Sequence, residues 1–354
     1  SNKTTNNRTL KRKATLLAVI SLLTVLAYLA LLWRPSSLIA TPSVLASPVK
    51  TQELTRLPGL ERSPLMSEDH TFIVYLRENQ YSGHRSLWWK NLSNEKEMLI
   101  DGLSPYVSRL VSLDTFDNHW QLLYLAQENN QCRISMATLD TQYQITDDKK
   151  LFDCTGQRIF DVSWSKPNNT LYYSAKTNHE SVSRIYQYDL VAKTHQLITQ
   201  PDAQGYGNRG IDLSPDGNKL LIVRLDNKFR SQLYVLNVNN NQLTSGLKLP
   251  YNIEKATWRH DSTHIMYLSP SPSNQVLISD IYGKTPSTLL SVSEYLETEL
   301  TRINDSQDIL FSTTNLDFNN RWVFHVEEVK ELNNSTVYDM QPTLAHTSLH
   351  YAFV

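Results

Sequence analysis

One short phrase, a turn rich in Ser, Asp, Asn and Pro followed by an apolar strand rich in Tyr, returns seven times along this chain. The first apolar residues after the seven turns are Ile73, Leu122, Leu171, Leu220, Ile265, Ile309 and Tyr351. Successive copies lie 49, 49, 49, 45, 44 and 42 residues apart. A strand-based period of this length is typical of a β-propeller, in which each repeat forms one blade.

The third and fourth copies each predict four strands, the content of one propeller blade. The strands of the third copy are expected over residues 159–164, 170–174, 184–190 and 195–199. Those of the fourth copy are expected over residues 210–213, 219–224, 231–238 and 242–244. Between the first two strands of the fourth copy lies Ser214-Pro215-Asp216-Gly217, a turn in which Pro fixes φ and Gly tolerates a positive φ.

A four-stranded sheet with two half-apolar faces cannot bury either face alone, so the blades are expected to pack face to face in a closed ring. The predicted fold is therefore all-β, a propeller of six to seven four-stranded blades over residues 57–354. The seventh copy reaches Val354 after only two strands. Either these strands complete a blade shared with the first copy, or the propeller is truncated at the C-terminus.

The N-terminal residues predict a membrane span. Five cationic side chains crowd residues 1–13, and the twenty residues Ala14–Trp33 that follow contain no charge. As a helix, this run is about 30 Å long, enough to cross a bilayer core. The excess of cations before the span places residues 1–13 in the cytoplasm as a basic stub. A cleaved secretory signal with its cut after Val44-Leu45-Ala46 is the alternative.

Residues 34–56 are rich in Pro, Ser and Thr and show no sustained period, which predicts a stalk between the membrane and the propeller. The expected localisation is the inner membrane, with a single span, a cytoplasmic N-terminus and a periplasmic C-terminal domain. In an exported domain, the two cysteines of the chain, Cys132 and Cys154, are disulfide candidates, because a hairpin that turns near Tyr143 would set them opposite each other. A redox switch and two unpaired thiols are the alternatives.

Matched positions in the repeats point to packing roles. Trp164 and Trp258 occupy equivalent points just before the turns of the third and fifth copies, which is typical of residues that pack one blade on the next. Asp161 and Asp212 are matched on the innermost strands, where they can line a central channel with a binding role, although hydrogen bonding within turns and strand ladders is the better explanation.

The sequence offers little sign of catalysis. It lacks a G-x-S-x-G nucleophile motif, and the Gly-rich residues 205–210 lack the Lys-Ser/Thr pair of a phosphate-binding loop. His260 and His264 lie on a predicted turn, where a solvated polar turn is a better explanation than a metal site. With 34 basic against 35 acidic side chains, the composition argues against wholesale nucleic-acid binding. The chain is therefore predicted not to be an enzyme and to need no cofactor or metal.

The fourth copy resembles the TolB-type propeller repeat, which has a Ser-Pro-Asp-Gly-Lys turn, an apolar strand and a later Leu-Tyr-Val-x-Asp strand. The matching residues are 213–223 and 232–238, and the other copies match less closely. With the basic stub, the span and the stalk before it, the chain also resembles the exported part of CadC/ToxR-like membrane-anchored regulators. That resemblance implies a cytoplasmic DNA-binding winged helix upstream of Ser1, so that DNA is contacted only through a domain outside this sequence.

Three functions are open at this point. The first is a periplasmic sensory or interaction domain of a transcriptional regulator, which binds a small ligand or a protein and signals through one span, with a homodimer as one form. The second is a TolB-like envelope scaffold that binds other proteins. The third is a gate for a hydrolase domain beyond Val354.

Overall fold

The structure, a computed structural model, describes residues 51–55, 60–79, 82–104, 106–177, 179–180, 182–270, 273–284, 286–291, 295–303 and 306–314, and the backbone of four short strands after these. The predicted basic stub, the predicted span and the predicted stalk as far as residue 50 lie outside the described residues. Every regular element in the described part is a strand, and no helix there is long and apolar enough to cross a membrane.

The described residues form five four-stranded antiparallel sheets, in each of which the strands follow one another in chain order. Blade one contains β1 (Leu60–Met66), β2 (Phe72–Glu78), β3 (Arg85–Asn91) and β4 (Glu97–Ile100). Blade two contains β5 (Val107–Phe116), β6 (His119–Glu128), β7 (Gln131–Leu139) and β8 (Ile145–Asp153). Blade three contains β9 (Gln157–Ser165), β10 (Thr170–Thr177), β11 (Arg184–Asp189) and β12 (Thr194–Thr199).

Two more four-stranded blades and three hairpins complete the described strands. Blade four contains β13 (Gly207–Leu213), β14 (Lys219–Leu225), β15 (Ser231–Asn237) and β16 (Leu243–Lys248). Blade five contains β17 (Ala256–Trp258), β18 (His264–Ser269), β19 (Gln275–Asp280) and β20 (Ser287–Ser291). The hairpins are β21 (Tyr295–Arg302) with β22 (Ile309–Thr314), β23 (Arg321–Phe324) with β24 (Glu328–Glu331), and β25 (Thr343–Leu344) with β26 (Tyr351–Ala352).

The first strands of the blades close into a ring. Contacts link β1 to β5, β5 to β9, β9 to β13, β13 to β17, β17 to β21, and β21 back to β1. The hairpin β21–β22 therefore lies between blade five and blade one. The prediction of an all-β propeller is confirmed.

The predicted count of six to seven four-stranded blades is wrong for the described residues, which contain five. The reason lies in the last two copies of the repeat. Ile309 falls on β22 and Tyr351 on β26, and both strands belong to two-stranded sheets. A turn followed by an apolar strand specifies a hairpin, and the outer pair of strands that would complete a blade needs its own alternating pattern.

The second strand of each blade contains an unbroken run of at least four buried residues. On β14, Leu220, Leu221, Ile222 and Val223 are all fully buried. Both faces of this strand are covered, one by each neighbouring blade, so it reads as a continuous apolar run instead of an alternating one. The outermost strands, such as β16, are largely exposed.

The hydrophobic core consists of separate clusters between successive blades. One cluster joins blades one and two around Phe72 and Tyr124, and another joins blades two and three around Phe152 and Tyr173. Further clusters lie between blades three and four, between blades four and five, and between blade five and β21–β22. Each blade thus buries its two faces against different neighbours, which makes stability depend on the whole ring.

Candidate functional site

The carboxylate of Asp161 on β9 connects four positions of the ring. One oxygen lies 2.5 Å from Nη1 of Arg109 on β5, and the other lies 3.3 Å from Nζ of Lys255, just before β17. The backbone N–H of Ile211 on β13 donates to the same carboxylate at 3.0 Å. Residues from blades two, three, four and five therefore meet at one side chain, which is itself 1% exposed.

Asp161 is held in its ionised form. Burial by itself would raise its pKa, but the positive charges of Lys255 and Arg109 and the N–H of Ile211 outweigh that effect and hold the pKa below its ordinary value. A buried carboxylate with two cationic partners and backbone donors is well compensated. Its chemistry is therefore that of a structural anchor, with its charge already neutralised by the protein.

Asp212 repeats this arrangement one blade further round the ring. Its Oδ2 accepts hydrogen bonds from Thr257 Oγ1 at 2.7 Å and from the N–H of Trp258 at 2.8 Å, both on β17. Arg302 at the end of β21 lies 2.7 Å away, and it also donates to the carbonyl of Leu213 at 3.1 Å. Asp212 thereby links blades four and five to the hairpin that closes the ring.

Hydrogen bonds between β9 and β13 show the relative direction of these two inner strands. Asp161 and Ser163 of β9 accept hydrogen bonds from the N–H groups of Ile211 and Leu213 of β13, in the same order along both strands. The strands therefore run parallel, and their beginnings lie on the same side of the propeller. We call this side, which includes the beginnings of β9 and β13, the start face.

Two arginines on the start face lie over one phenyl ring. The Cζ atom of Arg209 on β13 is 4.0 Å from the ring centroid of Phe160 on β9, and that of Arg158 is 5.2 Å away. Arg158 is exposed, whereas Phe160 and Arg209 are half-buried. Among the described residues, no hydrogen-bond partner is found for Arg209 Nε, and neither arginine forms an ion pair. We call these three residues the Arg–Phe–Arg cluster.

Electrostatics make this cluster receptive to an anion. Burial, followed by repulsion from Arg158, lowers the pKa of Arg209, and Glu254 and Tyr206 oppose the shift. The guanidinium remains charged at neutral pH, because arginine starts from a very high pKa. Two neighbouring positive charges with cation–π contacts but no described carboxylate in contact can accept a carboxylate or a phosphate.

An exposed aromatic pair lies on the same face. Phe229, in the loop between β14 and β15, is 54% exposed and stacks on Tyr206 with their ring centroids 4.2 Å apart. Leu225 at the end of β14 pairs with Gly207 at the beginning of β13, so this loop lies on the start face. The backbone of Phe229 has a positive φ of 55°, a conformation that bulky residues rarely adopt. The start face thus combines exposed apolar surface with unpaired positive charge.

The predicted repeat turn lies on the opposite side, where it joins blades four and five. Ser214 Oγ accepts from the N–H of Lys219 and donates to Asp216 Oδ1, and Gly217 takes a φ of +72°. The N–H of Asp216 donates to Ser262 Oγ, in the equivalent turn of blade five, at 3.2 Å. Pro215 stands second in this turn, where its fixed φ suits the chain reversal.

The candidate cysteines lie at one end of the hairpin β7–β8. A disulfide joins Cys132 and Cys154, whose Cα atoms are 4.8 Å apart, and the N–H of Cys154 donates to the carbonyl of Cys132 at 3.1 Å. Both residues are buried in the cluster between blades two and three. This arrangement fits a structural cross-link better than an accessible redox switch.

The two matched tryptophans pack between blades. Trp258 is 2% exposed and belongs to the cluster between blades four and five, with the ammonium of Lys219 5.5 Å from its ring centroid. Trp164 is half-buried against the cluster between blades two and three. Neither tryptophan takes part in the described cation–π contacts of the Arg–Phe–Arg cluster.

Residues 52–54 lie against blade one. Gln52, Glu53 and Leu54 line a cavity of about 350 Å³ together with residues of β3, β4 and the turn between them, which are Lys90, Leu92, Glu95 and Glu97. Lys90 and Glu97 form an ion pair of 2.9 Å across these strands. The end of the predicted stalk therefore meets the outer strands of the first blade.

No metal site emerges from the residues that the structure describes, where no group of three or more His, Cys, Asp and Glu side chains is arranged to hold an ion. His264 Nδ1 instead lies 2.8 Å from Asp261 Oδ2 within a turn.

Arg109, Lys255, Arg302 and the Arg–Phe–Arg cluster are not among the site residues that the sequence predicts. Arg209 lies within the Gly-rich residues 205–210, whose pattern invites comparison with a phosphate-binding loop only. The sequence does contain a signal for this cluster. Arg158 and Phe160 lie two residues apart on the first strand of the third copy, and Arg209 occupies the position that matches Arg158 in the fourth copy.

Comparisons with known proteins add the fold class. No family model matches this chain, and no curated protein sequence matches it. TolB from Acinetobacter baumannii superposes with a TM-score of 0.54 at 14% identity, covering 68% of this chain and 56% of that one. A putative TolB from Agrobacterium tumefaciens gives a TM-score of 0.54 at 15% identity, covering 69% of this chain and 85% of that one.

A third similar structure is an oligogalacturonate lyase in complex with manganese, with a TM-score of 0.51 at 11% identity, covering 73% of this chain and 75% of that one. The prediction that this chain is not an enzyme, which rests on missing catalytic motifs, is contradicted, because this fold also occurs in an enzyme, the oligogalacturonate lyase. These likenesses extend to the fold alone. The described part of this chain is a TolB-like β-propeller.

Proposed function

We propose that this chain is the exported sensory and interaction part of a membrane-anchored transcriptional regulator, in which the propeller binds a protein or ligand on its start face. The observation that carries this proposal is that the acidic side chains near the inner strands have ion-pair partners, whereas two of the basic ones do not. Asp161 and Asp212 are fully engaged in joining blades, whereas Arg158 and Arg209 have no described ion-pair partner. A stiff ring with unmatched charge on one face is suited to binding a partner.

The signal in this proposal passes through association of the chains. Hydrogen bonds between blades stiffen the propeller, so a bound partner changes the spacing or dimerisation of the spans and not the internal arrangement of the blades. Residues 52–54 line one cavity with blade one, and in this proposal the stalk leaves the propeller from there. The membrane part of the proposal depends on the basic residues 1–13 and the uncharged run Ala14–Trp33.

Protease added to spheroplasts tests the topology. We expect residues 57–354 to be degraded while an epitope placed before Lys3 stays protected. Protection of the propeller would contradict the proposal. A second measurement compares dimerisation of the span with and without the propeller, and unchanged dimerisation would contradict the signalling step.

A TolB-like envelope scaffold is the second candidate, and the TM-score of 0.54 to two TolB structures favours it. The two candidates differ in their link to DNA. A mobility-shift assay with the product of the complete reading frame, on DNA from its own promoter region, separates them. Specific DNA binding supports the regulator, and its absence supports the scaffold.

A further inference from the structure

We propose that the Arg–Phe–Arg cluster binds a carboxylate side chain from an acidic peptide segment of a partner protein. This inference deepens the proposed function, on which it rests, by assigning the binding site and the chemical class of the partner. Three features of the start face carry it, which are the unpaired guanidinium groups, the charge balance around them and the aromatic pair beside them.

Arg209 lacks the hydrogen-bond partners that a half-buried guanidinium group normally finds. Arg209 Nε is shielded from solvent and has no described hydrogen-bond partner, and the charge of Arg158 lies close enough to disfavour that of Arg209. Leaving a charged guanidinium group without an acceptor costs free energy, and a carboxylate bound to the same group would offset part of that cost. Guanidinium groups match the two oxygens of a carboxylate in a planar, bidentate geometry.

The charge balance around the cluster is positive. Arg109 and Lys255 neutralise Asp161, whose single charge faces two cations. Glu254, the acidic residue that acts on Arg209, is exposed and is not in an ion pair with it among the described residues. Since the Gly210 backbone lies against the Glu254–Lys255 segment, these charges share one region of the start face. Such a local excess of positive charge attracts an acidic segment and raises its association rate.

The aromatic pair argues for a peptide and not for a small anion alone. Tyr206 lies immediately before β13, three residues before Arg209, and Phe229 stacks on Tyr206 with more than half of its surface exposed. A peptide with an apolar side chain next to its acidic residues would cover this ring while its carboxylate reaches the arginines. Aromatic and arginine side chains are the residue types that most often dominate protein interfaces.

Fluorescence anisotropy with the full chain in detergent tests the site. The probe is a labelled peptide of alternating Glu and Leu, and the variants are R158Q, the double variant R158Q/R209Q and F229S. We expect the double variant to weaken binding at least tenfold and R158Q and F229S to weaken it about threefold or more. R158Q serves as the variant that folds normally, because Arg158 is exposed.

The matched control is R259Q, since Arg259 follows β17 on the opposite side and contacts Gln307 at 3.4 Å. We expect this control to leave the affinity unchanged within twofold, with the thermal midpoint of every variant close to that of the parent chain. Equal binding by the parent chain and R158Q would overturn the site, as would a parent chain that does not bind the probe. If inorganic phosphate at an equal concentration displaces the probe, the ligand of the site is a small anion, and the proposal of an acidic peptide is contradicted.

Failure of this inference is distinguishable from failure of the proposed function. If probe binding depends on Arg158 but the propeller is protected in spheroplasts, the binding site is supported and the exported regulator is contradicted. If the propeller is degraded in spheroplasts but the chain does not bind the probe, the exported domain is supported and the acidic partner is contradicted.

Discussion

At the scale of single residues, Asp161 of blade three is joined to residues of blades two, four and five. We expect Asp161→Ala to lower the free energy of unfolding by about 3 kcal/mol or more, because it leaves two cations and the buried N–H of Ile211 without their acceptor. Urea unfolding measures the loss. Asp153→Ala is the matched control, since its ion pair with Lys150 is 53% exposed on both sides, and it should cost about 0.5 kcal/mol or less. Equal effects of the two substitutions would contradict this account.

The same carboxylate predicts a pH dependence. Because the folded pKa of Asp161 lies below the unfolded value of about 3.9, its ionisation contributes stability above that pH and loses it as the pH falls towards the folded pKa. The stability advantage of the parent chain over Asp161→Asn should therefore be constant near neutral pH and shrink below about pH 4. Unfolding midpoints of both proteins across this range check the prediction. An advantage that does not change with pH would show that the charge of Asp161 is not what stabilises the ring.

At the scale of elements, the hairpin β7–β8 carries the disulfide. In the chain-entropy model, closing the loop between Cys132 and Cys154, 22 residues apart, contributes about 3 kcal/mol. We expect reduction, or the double substitution of both cysteines by Ala, to lower the unfolding free energy by about that amount. Mass mapping without reductant should find the two residues linked in exported protein, and free thiols there would contradict the cross-link.

Strands were the most predictable elements. Residues 170–174 and 184–190 were expected as strands and correspond to β10 and β11, because their Tyr-rich apolar patterns are bounded by clear turns. Blade number was less predictable, since a turn and one apolar strand specify only a hairpin. The site was least predictable of all. Arg109, Lys255 and Asp161 come together only when distant blades close into a ring, and no local pattern encodes that distance.

At the scale of the whole molecule, closure of the ring depends on how the hairpin β21–β22 is attached to the blades before it. Arg302 on β21 links the closing hairpin to Asp212 of blade four. We expect Arg302→Ala to increase amide hydrogen exchange in β1, β17 and β21 by at least tenfold, with little change in β9 and β10. Exchange followed by mass spectrometry measures this difference. A uniform increase over all blades would instead indicate global destabilisation.

Blade one is built from four consecutive strands, and in the described part of the chain no later strand joins its sheet. Its junction with β21–β22 therefore contains contacts between β1 and the hairpin but, among the described strands, no shared hydrogen-bonded ladder. During synthesis each finished blade can dock on the preceding one as it emerges, and this junction is the last to form. If the chain is pulled between its N-terminal end and the rest of the propeller, we expect this junction to separate before the others.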